Sequence, residues 1–109
     1  MTQTISRTEL KALIDADEPL TLIEALPKKY FEAGHLPGAI NIPHDEIAAH
    51  AASRLPDKEA TIIVYCANTA CQNSGIGAQA LIEAGYQRVK EYVEGKQDWQ
   101  EAGLELVQS

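Results

Sequence analysis

Short apolar runs alternate along the chain with longer amphipathic stretches. Four runs of four or five residues are rich in apolar and β-branched side chains, which is typical of buried strands: 20–24, 39–42, Thr61–Tyr65 and 89–92. Between them, apolar residues recur with helical spacing. This spacing predicts a helix opened by Ser6, followed by helices over 27–33, 44–54, 74–84 and 96–102.

The ends of two helices carry their own signals. Ser6 followed by Glu9 forms a capping-box pattern, with Ser6 at the N-cap of the first helix. Gly85 suits the position just beyond a helix, where the left-handed conformation is common, and so predicts the end of helix 74–84. Three apolar residues of that helix are predicted to form its buried face: Ile76, Ala80 and Leu81.

Strands that alternate with helices predict a parallel sheet with helices on both faces, a three-layer α/β architecture. The run Thr61–Tyr65 is apolar on both faces, as a central parallel strand should be. No internal repeat, linker or low-complexity segment interrupts the pattern. We therefore expect one α/β domain spanning residues 1–109.

Composition and charge narrow the possible partners. The formal net charge of −7 disfavours nucleic acid and anionic membrane surfaces, which attract clustered Lys and Arg. The first residues lack the basic and apolar regions of a signal peptide, and no apolar run is long enough to span a membrane. Two cysteines cannot build a secreted disulfide framework. The sequence thus predicts a cytoplasmic protein with reduced thiols.

Both cysteines lie in one short loop, Cys66 to Cys71, directly after the predicted central strand. Ligands of parallel α/β sheets bind at the carboxyl ends of the strands. Backbone N–H groups and the N-terminus of the following helix favour an anion there, and a thiolate is the reactive form of cysteine. Cys66 is therefore a candidate nucleophile. The alternative is a small buried apolar residue, which free cysteine often is.

Several motifs together resemble the rhodanese family. The segment 32–43, EAGHLPGAINIP, is similar to the family signature GHIPGAINIP, and Val64-Tyr-Cys66 resembles the strand that enters its active-site loop. Toward the end, AGY at 84–86, YVEGKQDW at 92–99 and EAGL at 101–104 resemble the family's GY..V..L.GG...W...GLP pattern. The match runs in order over nearly the whole chain.

The resemblance implies a five-stranded parallel sheet flanked by helices and sulfurtransferase activity without a cofactor or metal. It places the nucleophile at Cys66, which takes a sulfane sulfur as a persulfide and passes it to a thiol or cyanide-like acceptor. The donor is a small sulfur compound such as thiosulfate, polysulfide or a persulfide, and the acceptor can be a protein. Residues predicted to bind the donor follow Cys66 in the loop and the next helix: Ala67, Asn68, Thr69, Ala70, Gln72, Asn73 and Ser74.

The chain departs from the family pattern in ways that bear on the donor. After the first strand, Glu24-Ala-Leu26 replaces the acid–Arg pair of many members, and the loop has no basic residue. Cys71 stands where an Arg commonly closes the loop. A doubly negative donor such as thiosulfate must then rely on backbone N–H groups, so we expect weak thiosulfate activity and better use of neutral or protein-bound persulfides.

The roles of the surrounding residues are predicted with alternatives. Cys71 is either a resolving or relaying thiol or a space-filling side chain. Ser74 either caps the helix or donates a hydrogen bond to the Cys66 sulfur, and Asn73 is a second candidate cap. Glu24 either orients the loop by accepting backbone N–H bonds or is solvated. His35 is expected to fix its turn through backbone hydrogen bonds rather than act as an acid or base.

Three other functions or sites remain open beside the sulfurtransferase. One is a non-catalytic rhodanese-like binding or regulatory module, and another is a thiol-redox protein that cycles a Cys66–Cys71 disulfide. A third is a metal site formed by the two cysteines with histidines, although the spacing does not match common zinc patterns. Trp99 is expected in the core, and His44 and His50 on a solvated helix. Oligomeric state and the physiological donor and acceptor are beyond what the sequence indicates.

Overall fold

The computed structural model describes residues 3–108, which fold into a five-stranded parallel sheet with helices on both faces. The strands are β1 (Gln3–Thr4), β2 (Thr21–Glu24), β3 (Ile40–Asn41), β4 (Thr61–Tyr65) and β5 (Arg88–Tyr92). The helices are α1 (Arg7–Asp15), α2 (Lys28–Ala33), α3 (Ile47–Arg54), α4 (Asn73–Glu83) and α5 (Gly95–Glu101). The strand order is β1-β5-β4-β2-β3, so β4 is the central strand, as predicted.

Side chains of β4 point alternately to the two faces of the sheet, and each face has its own apolar cluster. Ile62 and Val64 belong to an apolar cluster that includes buried residues of α3 and α4, such as Ile47 and Leu81. Ile63 and Tyr65 point to the opposite face, where the second cluster contains Leu10 of α1 and Trp99 of α5. Successive side chains of a strand point to opposite faces, so one fully apolar strand can support both layers. The predicted α/β class and the buried Trp99 are confirmed.

The first helix begins as its sequence indicates. The Ser6 hydroxyl accepts a hydrogen bond from the Glu9 N–H, and the Ser6 N–H donates to the Glu9 carboxylate, both at 3.1 Å. The predicted capping box is therefore confirmed. Gly85 follows the end of α4 with φ +101°, in the left-handed region that glycine tolerates, and that prediction also holds.

Several local predictions were wrong. The hydrophobic pattern did not reveal β1. This strand consists of only two residues, both exposed, and it pairs with β5 in the register Gln3 to Lys90. Helix α3 begins at Ile47 rather than at residue 44, so His44 precedes the helix and is half-buried. Ile76 lies on the exposed side of α4, with 49% of its surface accessible. Within residues 3–108, no helix combines the length and apolar character that crossing a bilayer requires.

Candidate active site

Cys66 is the first residue after β4 and is completely buried. Its carbonyl oxygen accepts a hydrogen bond from the Lys96 N–H at 3.0 Å, and the carbonyl of Ala67 accepts from the Gln97 N–H at 2.9 Å. The first turn of α5 thus holds the start of the loop. Gly95, with φ +67°, allows this close approach, because a Cβ there would collide with the Cys66 carbonyl oxygen.

A tight turn within the loop returns the chain toward Cys66. The side-chain oxygen of Asn68 accepts a hydrogen bond from the Ala70 N–H at 3.0 Å, and the backbone carbonyl of Asn68 accepts one from the Cys71 N–H at 3.1 Å. This Asx-type turn places the Cα atoms of Cys66 and Cys71 6.4 Å apart, and the two sulfurs form a disulfide. Cys71 therefore reaches Cys66 and, being half-buried, does not face the protein interior as the space-filling alternative required.

Ser74 connects the Cys66 sulfur to an acidic residue of the neighbouring strand. Its hydroxyl oxygen lies 3.4 Å from Cys66 Sγ and donates a hydrogen bond to Glu91 Oε2 at 2.6 Å. Neither Ser74 nor Asn73 caps α4: both lie within its first turn, the N-cap position is Gln72, and no side chain of residues 3–108 makes a cap hydrogen bond. The capping predictions were wrong, whereas contact between Ser74 and the sulfur is present.

The first turn of α4, which contains Ser74, begins without a side-chain cap. The Ile76 N–H is the first to bond within the helix, to the Gln72 carbonyl, and Asn73 uses its side-chain amide on the Ala25 carbonyl at 3.5 Å. Uncapped N–H groups at a helix start carry partial positive charge. Because Ser74 in that turn contacts Cys66, the helix terminus is placed to stabilise negative charge on this sulfur.

The remaining predicted loop residues differ in their access to solvent. Ala67 and Asn68 are half-buried, and so is Asn73 on the helix. Three side chains are exposed on the outer side of the loop: Thr69, Ala70 and Gln72. The loop therefore offers a neutral surface to solvent, and its turn depends on Asn68.

Glu24 is buried under the loop instead of facing solvent. Its Oε1 accepts a hydrogen bond from the Tyr65 hydroxyl at 2.8 Å, and its Oε2 lies 2.9 Å from Lys96 Nζ. The Tyr65 oxygen in turn accepts from the Leu36 N–H at 3.1 Å. Glu24 is therefore buried rather than solvated, and the contacts that hold it are with the side chains of Tyr65 and Lys96 instead of the backbone N–H groups of the loop.

Burial raises the pKa of the Glu24 carboxyl. Three neighbours oppose this rise: the Lys96 ammonium, the Tyr65 hydroxyl and the His35 ring. Burial also raises the pKa of the Tyr65 hydroxyl, and the negative charge of Glu24 raises it further, so this hydroxyl keeps its proton and remains a donor. Lys96 additionally donates to the Tyr30 carbonyl at 2.8 Å. This clamp joins β2, β4, α2 and α5 beneath the loop.

His35 has the structural contacts that its turn predicted. Its Nδ1 lies 3.1 Å from the Phe31 carbonyl oxygen, and its ring stacks on Phe31 with the centroids 3.9 Å apart. Its backbone exchanges two hydrogen bonds with Val107, at 2.8 and 2.7 Å. No group of three or more His, Cys, Asp or Glu side chains within residues 3–108 is arranged to hold a metal ion.

An open groove of about 660 Å³ adjoins the disulfide on the side of α4 and β5. Cys71 contributes to its wall, together with apolar side chains such as Ile76 and Val93 and the carboxylates of Glu83 and Glu91. A second, smaller pocket is lined by Asn68 and Thr69 of the loop together with three more acidic residues: Glu94, Asp98 and Glu101. Acidic groups thus line both pockets that the loop contributes to.

Sequence reasoning missed Lys96 and Glu91 as parts of the site. Lys96 lies 30 residues beyond Cys66 and contacts the loop only because α5 folds back over it. Glu91 approaches the sulfur because β5 pairs with β4 in the register Val64 to Glu91. The one available signal was that Glu91 falls near the carboxyl end of a predicted strand, where ligands of such sheets bind.

Comparisons with known proteins agree with this architecture. The family model described as "Rhodanese-like domain" matches residues 6–102. The chain is similar to the HTH-type transcriptional regulator Rv0324 of Mycobacterium tuberculosis, with 36% identity over 100 residues that cover 92% of this chain and 42% of the relative. It is also similar to the thiosulfate sulfurtransferase PspE of Escherichia coli, with 40% identity over 65 residues that cover 60% of each.

Among solved structures, a thiosulfate sulfurtransferase from Pseudomonas aeruginosa superimposes with a TM-score of 0.88 and 30% identity, over 98% of this chain and 20% of that one. The chain spans about half the length of the curated relatives it matches, from 42% to 60%. The similarity therefore concerns the part of each relative that corresponds to this fold.

Proposed function

Because this chain belongs to the rhodanese-like domain family, we propose that it is a sulfurtransferase that carries sulfane sulfur as a persulfide on Cys66. The observation that carries the proposal is the position of Cys66. It lies at the carboxyl end of the central strand, with its sulfur against the uncapped first turn of α4. Similarity to a thiosulfate sulfurtransferase supports the same activity.

The transfer takes two displacement steps. In the first, the Cys66 thiolate attacks the outer sulfur of a persulfide donor, R–S–S⁻, forming the Cys66 persulfide and releasing R–S⁻. In the second, an acceptor thiolate attacks the outer sulfur and regenerates the Cys66 thiolate. The N–H groups at the start of α4 stabilise the anion in both states, as helix N-termini do for other anions.

The charge around the loop favours certain donors. Glu91 hydrogen-bonds Ser74 beside the sulfur, and no Lys or Arg lies in the loop to offset its charge. Lys96, the nearest cation along α5, is paired with Glu24. Thiosulfate, a dianion, is therefore a poor donor, and a persulfide or polysulfide that carries less charge, or a persulfide bound to a protein, is the better one.

The disulfide supports a role for Cys71 in the same cycle. Its thiolate attacks the inner sulfur of the Cys66 persulfide, forming the Cys66–Cys71 disulfide and releasing hydrosulfide. The same disulfide favours a second candidate function, a thiol-redox protein that cycles between the dithiol and the disulfide. The two functions differ in whether a sulfane sulfur is ever held on Cys66.

Intact-mass spectrometry of the reduced protein tests the proposal. The parent and the variants Cys66→Ser and Cys71→Ser are exposed separately to thiosulfate and to polysulfide. We expect a one-sulfur adduct from polysulfide that is absent in Cys66→Ser and persists longest in Cys71→Ser. A disulfide that forms and is reduced reversibly, without any adduct, would favour the redox function. If neither product forms, the domain is a binding module.

A further inference from the structure

The two halves of the disulfide differ in their access to solvent. Cys66 is completely buried and its sulfur contacts Ser74, whereas Cys71 is half-buried and contributes to the wall of the 660 Å³ groove. A nucleophile arriving from solvent therefore reaches the Cys71 sulfur through the groove. The Cys66 sulfur is then the leaving group, next to the uncapped start of α4 that stabilises its charge.

The groove has a definite chemical character. Ile76 is 49% exposed on its surface, and Val93 and Ala80 extend the apolar lining. Among residues 3–108, the charged side chains that line it are Glu83 and Glu91, and no Lys, Arg or His does so. An exposed apolar surface with two carboxylates and no cation complements a ligand that is apolar and positively charged.

We propose that this groove receives a cysteine-containing segment of a partner protein, with basic residues beside the cysteine, that opens the disulfide by attack on Cys71. The inference rests on the disulfide and deepens the proposed function, because it names the class of partner that returns Cys66 to the reactive thiolate. Apolar lining of this extent suits a protein segment better than a small thiol. The acidic groove disfavours thiols of net negative charge.

The exchange is balanced without any further reagent. The partner thiolate attacks Cys71 Sγ, the Cys66–Cys71 bond breaks, and Cys66 leaves as a thiolate while a mixed disulfide forms on Cys71. A second thiol of the partner then attacks the partner's own sulfur in that mixed disulfide. The partner becomes oxidised to a disulfide, and both Cys66 and Cys71 are left reduced.

Three capped peptides provide the probes: Lys-Cys-Lys, Ser-Cys-Ser and Glu-Cys-Glu. The rate of disulfide opening is measured by alkylation and intact mass, for the parent and for the Glu83→Gln/Glu91→Gln double variant. We expect the Lys-to-Glu peptide rate ratio to fall about tenfold in the double variant at low salt. Taking the Lys-to-Glu ratio within one variant cancels any general effect of the substitutions on Cys66 as the leaving group. Dividing that ratio by the ratio for the parent cancels the intrinsic difference in reactivity between the peptides.

Glu59→Gln is the matched control, because Glu59 is exposed and lies before β4, near the opposite end of the strand from Cys66. Its rate ratio should equal that of the parent. A ratio that is the same in the parent and the double variant would overturn the proposal, and so would preferential attack at Cys66. An Ile76→Ser variant adds a second measurement: it should slow all three peptides if the apolar lining contributes to docking.

The outcome is separate from that of the proposed function. Disulfide opening needs no sulfane sulfur, so charge selectivity can hold even if no donor ever forms a persulfide on Cys66. Conversely, a persulfide that forms while the peptide ratio stays flat would retain the sulfurtransferase and reject the docking groove. Equal reactivity with Ser-Cys-Ser and a small neutral thiol would indicate that the groove admits thiols without recognising a segment.

Discussion

Two carboxylates approach the loop from Cys66 to Cys71 from the strands on either side of β4, and one of them is buried whereas the other is partly exposed to solvent. Glu24, at the end of β2, is fully buried and contacts Lys96 and Tyr65. Glu91, on β5, is half-buried at the edge of the groove, and its carboxylate accepts a hydrogen bond from the Ser74 hydroxyl. The same residue type thus serves the fold on one side and the electrostatics of the sulfur on the other.

The difference follows from what neutralises each charge. An ionised carboxylate in the interior is costly unless a cation and hydrogen bonds compensate it, and Lys96 and Tyr65 do so for Glu24. The charge of Glu91 is compensated by solvent instead, so its field acts on the groove and on Cys66. Removing a partner of Glu24 should therefore reduce stability, whereas removing Glu91 should change reactivity.

The largest expected effect comes from Lys96→Met. This change leaves Glu24 buried without its cation, and we expect a loss of about 3 kcal/mol of unfolding free energy at neutral pH. Adding Glu24→Gln should recover much of the loss, because no buried charge then remains. Urea unfolding with the disulfide kept intact measures both variants.

Lys11→Met is the matched control for this prediction. Lys11 pairs with Asp15 on the surface of α1, with 40% and 60% of the two side-chain surfaces exposed, and such surface pairs contribute about 0.5 kcal/mol or less. Equal losses for the two lysine variants would contradict a structural role for the buried pair.

A smaller effect concerns pH. Because burial raises the pKa of Glu24, the folded protein binds a proton there more tightly than the unfolded chain does. The stability from this proton is fully present below the ordinary glutamate pKa and is lost as pH rises through the raised folded value. We expect Glu24→Gln to gain stability relative to the parent across that window. Urea unfolding at a series of pH values measures the difference, and a difference that is constant with pH would contradict a raised pKa.

Sequence patterns predicted the main elements because burial alone specifies them. After Thr61, strand β4 is apolar and buried on both faces, as a strand covered by helices on both sides has to be, so its central place followed directly. The position of Cys66 followed as well, since it is adjacent to that strand in the chain. β1 could not be found in this way, because its two residues are exposed and carry no apolar pattern.

The site's charged residues were less predictable because they depend on long-range geometry. A single acidic residue at the end of a strand is typical of a solvent-exposed position. The sequence does not show that α5 folds back and brings Lys96 to Glu24. Ser74 was predicted either to cap the helix or to hydrogen-bond the Cys66 sulfur; α4 begins one residue before it, at Asn73, and its hydroxyl contacts Glu91 and Cys66 instead of capping the helix. Whether a residue caps a helix or lies inside its first turn depends on a shift of one position in the helix start. Sequence patterns define helix boundaries less well than they define the rest of a helix.

The smallest expected effect separates the two possible directions of the Ser74 hydroxyl in the reduced protein. While Glu91 accepts its proton, Ser74 presents a lone pair to Cys66 and favours the thiol form of that residue. Replacing Glu91 by Gln removes the nearby charge and frees the hydroxyl to donate to the thiolate. In a Cys71→Ser background, we expect Glu91→Gln to raise the rate of Cys66 alkylation by iodoacetamide at neutral pH about threefold. Ser74→Ala should raise it less, because the charge of Glu91 stays; a rate lowered by Ser74→Ala would instead show that Ser74 donates to the thiolate in the parent.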